Sequence, residues 1–240
     1  MREADEEWVS RIALRLANVR ERISEACRRA GRRAEEVGIV AVTKSFPAEV
    51  VRAAVAAGLS EIGENRVQEA RDKRALLGDL AGVRWHLVGH LQKNKAGLAL
   101  ALFDLIHSVD DVELARVLER RAAALGRTVP VLLEVNVGEE ASKFGFPPRE
   151  EVLFQAVEAI LVLPNLRLEG LMTVAPIVSD PEEVRPTFAR LRTLRERLRG
   201  RFPEAPWTHL SMGMTDDYVV AVEEGATLIR LGRALFGERA

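Results

Sequence analysis

The sequence contains one cysteine, one tyrosine and no apolar run long enough to span a bilayer. Its cysteine, Cys27, excludes an intramolecular disulfide framework and a zinc site built from cysteine pairs. The formal net charge is −1 at pH 7, so no basic field indicates a nucleic-acid or membrane partner. The first residues also lack the pattern of a signal peptide. We therefore expect a soluble, cytoplasmic protein.

Lysine is scarce as well, because arginine supplies all but five of the 35 basic residues. The five lysines are Lys44, Lys73, Lys93, Lys95 and Lys143. Since arginine carries the general surface charge, each lysine is a better candidate for a task that requires an amine.

The chain is rich in apolar residues, which make up 48% of it and suffice for a sizeable core. From Trp8 to Cys27 they recur every three or four positions, which predicts a helix that ends near Arg29. Eight β-type runs follow, and they alternate with stretches of helical spacing. The β-type runs are residues 37–43, 60–63, 84–89, 104–109, 129–137, 166–174, 207–212 and 226–232.

Eight β–α units in about 250 residues are typical of an α/β protein of the (β/α)8 or TIM-barrel class. The chain has no linker rich in Pro, Gly or Ser, so we predict a single domain over residues 1–240. An additional N-terminal helix takes residues 1–30 and the barrel takes 37–237, with a short last helix at 234–239. An open doubly wound sheet is the alternative. A barrel places its chemistry at the C-terminal ends of its strands.

Lys44 ends the first β-type run. An amine at the mouth of an apolar strand is poorly hydrated, and this disfavours its ammonium form. A neutral lysine amine attacks an aldehyde to form a Schiff base, which arginine does not do. The alternative is a lysine whose charged end simply reaches solvent at the barrel rim.

The next strand ends carry amides and imidazoles. Asn65 follows the second run, where we expect it to cap a helix and present its amide to the barrel mouth. His86 and His90 flank the end of the third run without the glutamate of an HExxH pattern, so zinc is disfavoured. His86 is expected to orient a ligand or to pack in the barrel. Asn136 and Met172 end the fifth and sixth runs, and Met172 is equally consistent with barrel filling.

The last two runs lead into loops that each contain a glycine. Ser211 and Gly213 end the seventh run, and Arg230 and Gly232 end the eighth. These loops form the recurrent phosphate site of such barrels, although two ordinary turns are the alternative. An amine that faces a phosphate site suits a ligand with an aldehyde and a phosphate. Pyridoxal 5′-phosphate (PLP) and sugar phosphates both qualify, and the residues alone leave that choice open.

Seven motifs, in order, make the sequence resemble the pyridoxal phosphate homeostasis proteins, which are single-domain relatives of the alanine racemase N-terminal barrel. The resemblance covers residues 37–237. The motifs are AVTKSFP (41–47), GENRVQE (63–69), WHLVGHLQKNK (85–95), EVNVGEEASKFG (134–145), GLMTV (170–174), SMGMTDD (211–217) and RLGRALFG (230–237).

The resemblance implies that PLP is the cofactor and that Lys44 holds it as a Schiff base. It also implies that Arg230 faces the pyridine nitrogen and that the loops at 211–213 and 232–233 hold the phosphate. The cofactor-binding residues that it implies are Lys44, Asn65, His86, Asn136, Met172, Ser211, Met212, Gly213, Arg230, Gly232 and Arg233. Two positions depart from the family pattern: Arg233 replaces a serine or threonine, and Arg66 replaces a tyrosine.

The resemblance further implies a non-enzymatic function. Related racemases use a catalytic tyrosine from a second domain, whereas the one tyrosine here is Tyr218 in the seventh unit. We therefore expect a monomeric protein of intracellular PLP homeostasis that buffers PLP or transfers it to PLP-dependent apoenzymes. The alternative is an enzyme, either a PLP-dependent amino-acid racemase or a Schiff-base aldolase that acts on a phosphorylated sugar.

Overall fold

The computed structural model describes residues 3–78 and 80–238 of the chain. In this part of the chain eight parallel strands close into a barrel, because each strand pairs with the next and the eighth pairs with the first. The closure confirms the predicted (β/α)8 fold and excludes the open sheet. The strands are β1 (Gly38–Val42), β2 (Glu61–Glu64), β3 (Arg84–Leu87), β4 (Leu105–Val109), β5 (Val129–Glu134), β6 (Leu166–Met172), β7 (His209–Ser211) and β8 (Leu228–Leu231).

Helices surround the barrel. They are α1 (Glu3–Arg29), α2 (Ala48–Ala56), α3 (Val67–Leu77), α4 (Ala96–Leu102), α5 (Val112–Ala124), α6 (Glu150–Leu161), α7 (Arg185–Arg201), α8 (Tyr218–Glu223) and α9 (Arg233–Phe236). The N-terminal helix ends at Arg29, as the apolar spacing predicts. The predicted last helix corresponds to α9, and the predicted domain limits extend to residues 1, 2, 239 and 240, which lie outside the described residues.

The N-terminal helix α1 buries the apolar stripe that the sequence shows. Ile12, Leu16 and Cys27 on this stripe are each at most 2% exposed. The helix packs against α2, α8 and α9, so it covers the seam where β8 closes on β1. Burial raises the pKa of the Cys27 thiol, which is consistent with a packing role for this residue.

Two acidic residues at the end of α8 tie three helices together. Arg185 of α7 donates to Glu223 at 2.6 Å and to Glu224 at 3.0 Å. Arg192, also on α7, contacts Glu224 at 2.7 Å, and Arg29 of α1 contacts Glu223 at 2.6 Å. The acidic pair therefore joins α1 and α7 through α8 by a network of ion pairs.

The barrel interior has an apolar layer and a polar layer. Apolar side chains from five strands form the inner layer, namely Val40, Leu105, Leu132, Met172 and Leu228. Polar and charged side chains occupy positions beside this layer, and they include the buried His86, His107, Ser211 and Arg230. The larger apolar core lies outside the sheet, between the strands and the helices.

A glycine sets the register where β6 lies between β5 and β7. The β5–β6 pairing shifts by one residue between Val131 and Leu132, and Gly170 lies at the shift. Its φ is +154°, and a Cβ atom there would overlap the carbonyl oxygen of His209 on β7. Because only glycine permits this approach, Gly170 fixes the alignment of the residues that follow it on β6.

We expect Gly170→Ala to lower the free energy of unfolding by more than about 2 kcal/mol, because the added methyl group forces β6 away from β7. Gly200→Ala is the matched control, since a Cβ at this position of α7 meets no atom within 4 Å. The control is expected to gain about 0.5 kcal/mol from helix propensity. Urea unfolding of both variants measures the difference, and equal stabilities would refute the steric argument.

Candidate functional site

Lys44 lies in the tight turn that follows β1, with its side chain half-buried. The backbone on both sides of it is anchored to the second β–α unit. Before it, the Thr43 hydroxyl donates to Glu64 Oε1 at 2.6 Å. After it, the Ser45 N–H donates to Glu69 Oε1 at 2.5 Å, and Ser45 has a positive φ of +66°. The turn is therefore held in a conformation that the chain would otherwise disfavour.

A second lysine supports this turn from behind. The Lys73 ammonium donates to the Thr43 carbonyl oxygen at 2.7 Å, to Glu64 Oε1 at 2.6 Å and to Glu69 Oε1 at 2.8 Å. Lys73 is 5% exposed and Glu64 is fully buried, and burial raises the pKa of Glu64 while the charge of Lys73 opposes that rise. Lys73 is thus structural, and its spacing of four from Glu69 on α3 is the sequence signal for that role.

Arg230 lies on β8, the strand that pairs with β1, and its Cα is opposite Val40. One guanidinium nitrogen donates to Ser211 Oγ at 2.7 Å and the other to the Thr173 carbonyl oxygen at 2.8 Å. Burial lowers its pKa to about 10, against the opposing charges of Asp217 and Glu134. Arg230 is therefore a protonated, donor-only group at neutral pH, fixed at two points.

Glu134 ends β5 at the level of Met172 on β6 and Ser211 on β7. Its Oε2 atom is buried and has no hydrogen-bond partner within the described residues. Burial raises the pKa of this carboxyl to about 7, with the nearby Asp110 adding to the rise and Arg230 opposing it. Sequence analysis did not single out Glu134, although a carboxylate at the end of the apolar run VPVLLE is a visible signal.

The loops after β7 and β8 are joined to one another. Gly213 has a φ of +93°, and a Cβ there would lie 2.6 Å from a side-chain atom of α8. Thr215 Oγ1 accepts a hydrogen bond of 3.2 Å from the Ala234 N–H, and a Cβ on Gly232 would lie 3.5 Å from the Val42 carbonyl oxygen. The two glycine loops therefore meet beside the end of β1, close to the turn of Lys44.

Two residues of the expected phosphate site direct their side chains elsewhere. Met212 is fully buried in the core between the sheet and the helices, so its side chain faces away from the barrel interior. The Arg233 guanidinium is half-exposed and pairs with Asp216 and with Glu238, the latter at 3.4 Å. At both positions only the backbone faces the joined loops.

The two expected asparagines shape loops. The N-cap of α3 is Arg66, so the prediction that Asn65 caps this helix is wrong, and the chain reaches α3 one residue later. Gly89 lies against the Asn65 backbone so closely that a Cβ would overlap it. The Asn136 amide donates to the Glu140 carbonyl oxygen at 2.8 Å and accepts from its N–H at 3.2 Å. Asn136 thereby orders the loop after β5.

Two further expected residues lie deeper in the barrel than the mouth. His86 bonds through Nε2 to Glu61 and through Nδ1 to His107 at 2.9 Å. It lines a cavity of about 460 Å³ at the N-terminal end of the strands, opposite Lys44. The Ser211 hydroxyl bonds to His107 Nδ1 at 2.8 Å and to Arg230, so Ser211 lies on the Arg230 side of the site and its hydroxyl is not in the glycine loops.

The second histidine of the third unit, His90, lies at the barrel mouth. Its Nδ1 is 2.9 Å from Asp110, and its ring stacks on Phe144 with centroids 3.7 Å apart. These contacts link the loops after β3, β4 and β5. Among residues 3–78 and 80–238 no group of three His, Cys, Asp or Glu is arranged to hold a metal ion. Within the same ranges, the helices are too short or too polar to cross a membrane.

We expect Glu134→Gln to stabilise the ligand-free protein at pH 8 by on the order of 2–3 kcal/mol and to change little at pH 4. The folded-state pKa of about 7 exceeds the ordinary 4.5, so protonated Glu134 is favoured below pH 4.5 and stability is lost as pH rises through 7. Glutamine avoids this loss. Urea unfolding at pH 4, 6 and 8 measures it, with exposed Glu158→Gln as the control. An equal gain at pH 4 and pH 8 would contradict the ionisation argument.

The sequence matches the family model described as alanine racemase, N-terminal domain, over residues 14–240. It is 45% identical over 225 residues to the pyridoxal phosphate homeostasis protein of Aquifex aeolicus, covering 94% of this chain and 97% of that protein. It is 44% identical over 232 residues to the protein of the same name from Pseudomonas aeruginosa, covering 96% of this chain and 97% of the relative.

Solved structures give a consistent result. PipY of Synechococcus elongatus PCC7942 with PLP bound is 40% identical, with a TM-score of 0.83, covering 94% of this chain and 100% of that one. Alanine racemase of Clostridium difficile 630 is 17% identical and shares the fold, with a TM-score of 0.74 over 96% of this chain and 57% of that one. This chain therefore belongs to the alanine racemase N-terminal-domain family and, within it, to the pyridoxal phosphate homeostasis proteins.

Proposed function

We propose that this protein binds PLP, holds it as a Schiff base on Lys44, and buffers it or transfers it to PLP-dependent apoenzymes. The observation that carries the proposal is the position of Lys44 beside a buried, donor-only Arg230 and two joined glycine loops. A relative that is 40% identical over nearly the full chain has PLP bound, which supports the same ligand here. We further propose that the protein acts as a monomer in the cytoplasm.

The residues present fit such a ligand. When bound, PLP supplies an aldehyde that condenses with a lysine amine, releasing water as the C=N bond forms, and a phosphate that anchors the molecule. Lys44 presents its amine from a turn that is held on both sides. The Gly213 and Gly232 backbones, with the backbone of Arg233, offer N–H groups to an anion. Thr215 adds a hydroxyl at the same place.

Other expected residues contribute by shape and position. Met172 is fully buried in the inner barrel layer, which forms the floor of the mouth. Asn65 and Asn136 set the paths of the loops after β2 and β5. The unpartnered Glu134 Oε2 is an additional polar contact for the ligand, and its pKa of about 7 lets it serve as donor or acceptor near neutral pH.

Arg230 supports a role without committed catalytic turnover. At neutral pH its guanidinium donates hydrogen bonds but gives up no proton, because its pKa is about 10 even when buried. A ring nitrogen that faces Arg230 stays unprotonated and is a weak electron sink, which limits carbanion chemistry on the cofactor. The charge on Arg230 is thus suited to holding PLP more than to activating it.

Tyr218 supports the same view. It is 2% exposed on α8, within the core outside the sheet, and the Arg22 guanidinium of α1 lies 5.3 Å above its ring. Burial raises the pKa of its hydroxyl. The one tyrosine of the chain therefore packs under α1 and is not a proton donor for Lys44.

One observation favours the enzymatic alternative. Glu134 lies at the inner edge of the site and titrates near neutral pH, which is the property of a general acid or base. An amino-acid racemase or a Schiff-base aldolase on a phosphorylated sugar requires such a group within reach of the substrate carbon. The enzymatic and the non-enzymatic function differ in whether Glu134 moves a proton to or from a substrate carbon.

Reduction of the purified, PLP-loaded protein with borohydride is expected to remove its near-visible absorbance and to leave a pyridoxyl mass on the peptide of Lys44. Lys44→Ala is expected to carry no such mass, because Lys73, the other amine that contacts this turn, is buried and bonded to Thr43, Glu64 and Glu69. Lys93→Ala, an exposed lysine paired with Asp111 at 3.1 Å, is the control and keeps the label on Lys44. A protein that takes up no PLP would refute the proposal.

Transfer is separated from turnover by a paired assay. We expect the loaded protein to reactivate an apo-aminotransferase, and to catalyse no deuterium exchange at the α-carbon of L-alanine in D2O. The physical reason for the absence of deuterium exchange is that a ring nitrogen beside Arg230 stays unprotonated, which makes the ring a weak electron sink. Sustained exchange that Glu134→Gln abolishes would instead establish the enzymatic alternative.

A further inference from the structure

A chain of hydrogen-bonded side chains runs through the barrel from the cavity at the N-terminal end to the proposed cofactor site. Its members, in order, are Glu61, His86, His107, Ser211 and Arg230. Each comes from a different strand, in the order β2, β3, β4, β7 and β8. The distance is 2.9 Å between His86 and His107, 2.8 Å between His107 and Ser211, and 2.7 Å between Ser211 and Arg230. These are normal hydrogen-bond lengths.

With two neutral imidazoles, the direction of donation along the hydrogen-bonded chain is set by its Glu61 end, because a carboxylate only accepts and each neutral ring donates through one nitrogen. Arginine only donates, so Ser211 Oγ accepts from Arg230 and its single hydrogen goes to His107 Nδ1. His107 then carries its hydrogen on Nε2, which donates to Nδ1 of His86. His86 in turn donates from Nε2 to the Glu61 carboxylate. One tautomer of each imidazole satisfies every link.

Burial prevents the chain from adopting another arrangement. His86, His107 and Ser211 are fully buried, and Arg230 is 5% exposed. Burial lowers the pKa of His107 well below its ordinary value, with nearby positive charge adding to the effect, so the ring stays neutral. The member most exposed to water is Glu61, whose side chain is 22% exposed and faces Arg84 and His86 in the cavity.

The Glu61 end is charged. Burial alone raises the pKa of this carboxyl, but the hydrogen bond from His86 and the nearby positive charge outweigh that effect, and the net pKa lies below its usual value. A carboxylate at one end and a guanidinium at the other orient the three groups between them. The charges at the two ends therefore oppose a reversal of the hydrogen bonds. Polar groups that merely filled the barrel would not need to donate in one common direction.

We propose that His86 and His107 are positioning residues for the cofactor, acting through Ser211 to hold Arg230 so that it donates to the ring nitrogen of PLP. This inference rests on the proposed function. The hydrogen-bonded chain commits the Ser211 hydrogen to His107, so Ser211 does not compete with Arg230 as a donor to the ring nitrogen. The remaining Arg230 N–H groups are thereby left to the ligand.

The test compares two ligands, PLP and its carbocyclic analogue in which carbon replaces the ring nitrogen. Wild-type protein is expected to bind PLP about tenfold more tightly than the analogue, since one buried hydrogen bond to a charged donor is worth roughly that ratio. His107→Leu removes the acceptor for Ser211 and is expected to reduce the ratio to near one. His107→Gln, which carries both an acceptor and a donor, is expected to restore much of it.

Leu132→Ala is the matched control, because Leu132 is equally buried in the inner barrel layer but is not part of the hydrogen-bonded chain. Its cavity is expected to weaken both ligands alike and to leave the ratio unchanged. If His107→Leu binds PLP and keeps the wild-type ratio, the positioning role is wrong while the proposed function stands. If the wild-type protein binds neither ligand, the proposed function fails and takes this role with it.

A second readout does not need the cofactor. Nitrogen-15 NMR of the ligand-free protein is expected to show the hydrogen of His107 on Nε2 and that of His86 on Nε2. In His107→Leu the His86 Nδ1 loses its donor, and its chemical shift is expected to move accordingly. An Nδ1–H tautomer at either histidine in the wild-type protein would overturn the direction of the chain.

Discussion

The pairing of β8 with β1 is the constraint on which the site depends. These strands lie about as far apart in the sequence as the fold allows, yet Val40 is opposite Arg230 and Ala41 is opposite Leu231. Closure therefore brings the turn of Lys44 next to the loop of Gly232, and it leaves Arg230 only 5% exposed. The helix α1 packs on α2, α8 and α9 and covers this seam from outside, so the strand pair that closes the sheet is shielded from solvent.

The two ends of the barrel are unlike because the inner side chains differ along each strand. Toward the C-terminal ends the strands deliver an amine, a guanidinium and an unpartnered carboxyl. Toward the N-terminal ends they deliver Glu61, Arg84 and His209 around a separate cavity. An apolar layer of Val40, Leu132 and their neighbours separates these ends, and the hydrogen-bonded chain through His107 crosses it. The polar groups of that hydrogen-bonded chain are thus placed in a line, each with a partner, whereas Glu134 Oε2 has none within the described residues.

The sequence predicted the fold well, because apolar runs and helical spacing record which faces are buried. It also predicted that Lys44, Arg230, Gly213 and Gly232 lie at or just after the C-terminal ends of strands, where the structure has them, since strand ends and glycine loops are readable as such. It could not locate Glu134 or His107, because the direction of a side chain in a closed barrel depends on register. The shift at Gly170 sets that register for β6, and no local pattern announces it. For the same reason the sequence left His86 either to orient a ligand or to pack in the barrel, and the structure buries it in the barrel.

The acidic pair on α8 has a thermal consequence. Glu223 and Glu224 engage arginines of α1 and α7 in one network, and the carboxylates are largely buried, with side chains 16% and 12% exposed. The hydration of charged groups becomes less favourable on heating, so the cost of removing these carboxylates from water falls as temperature rises. Hydrophobic burial does not gain in the same way. The ion-pair network of Glu223 and Glu224 therefore contributes a growing share of the free energy that holds α1 over the seam as temperature rises.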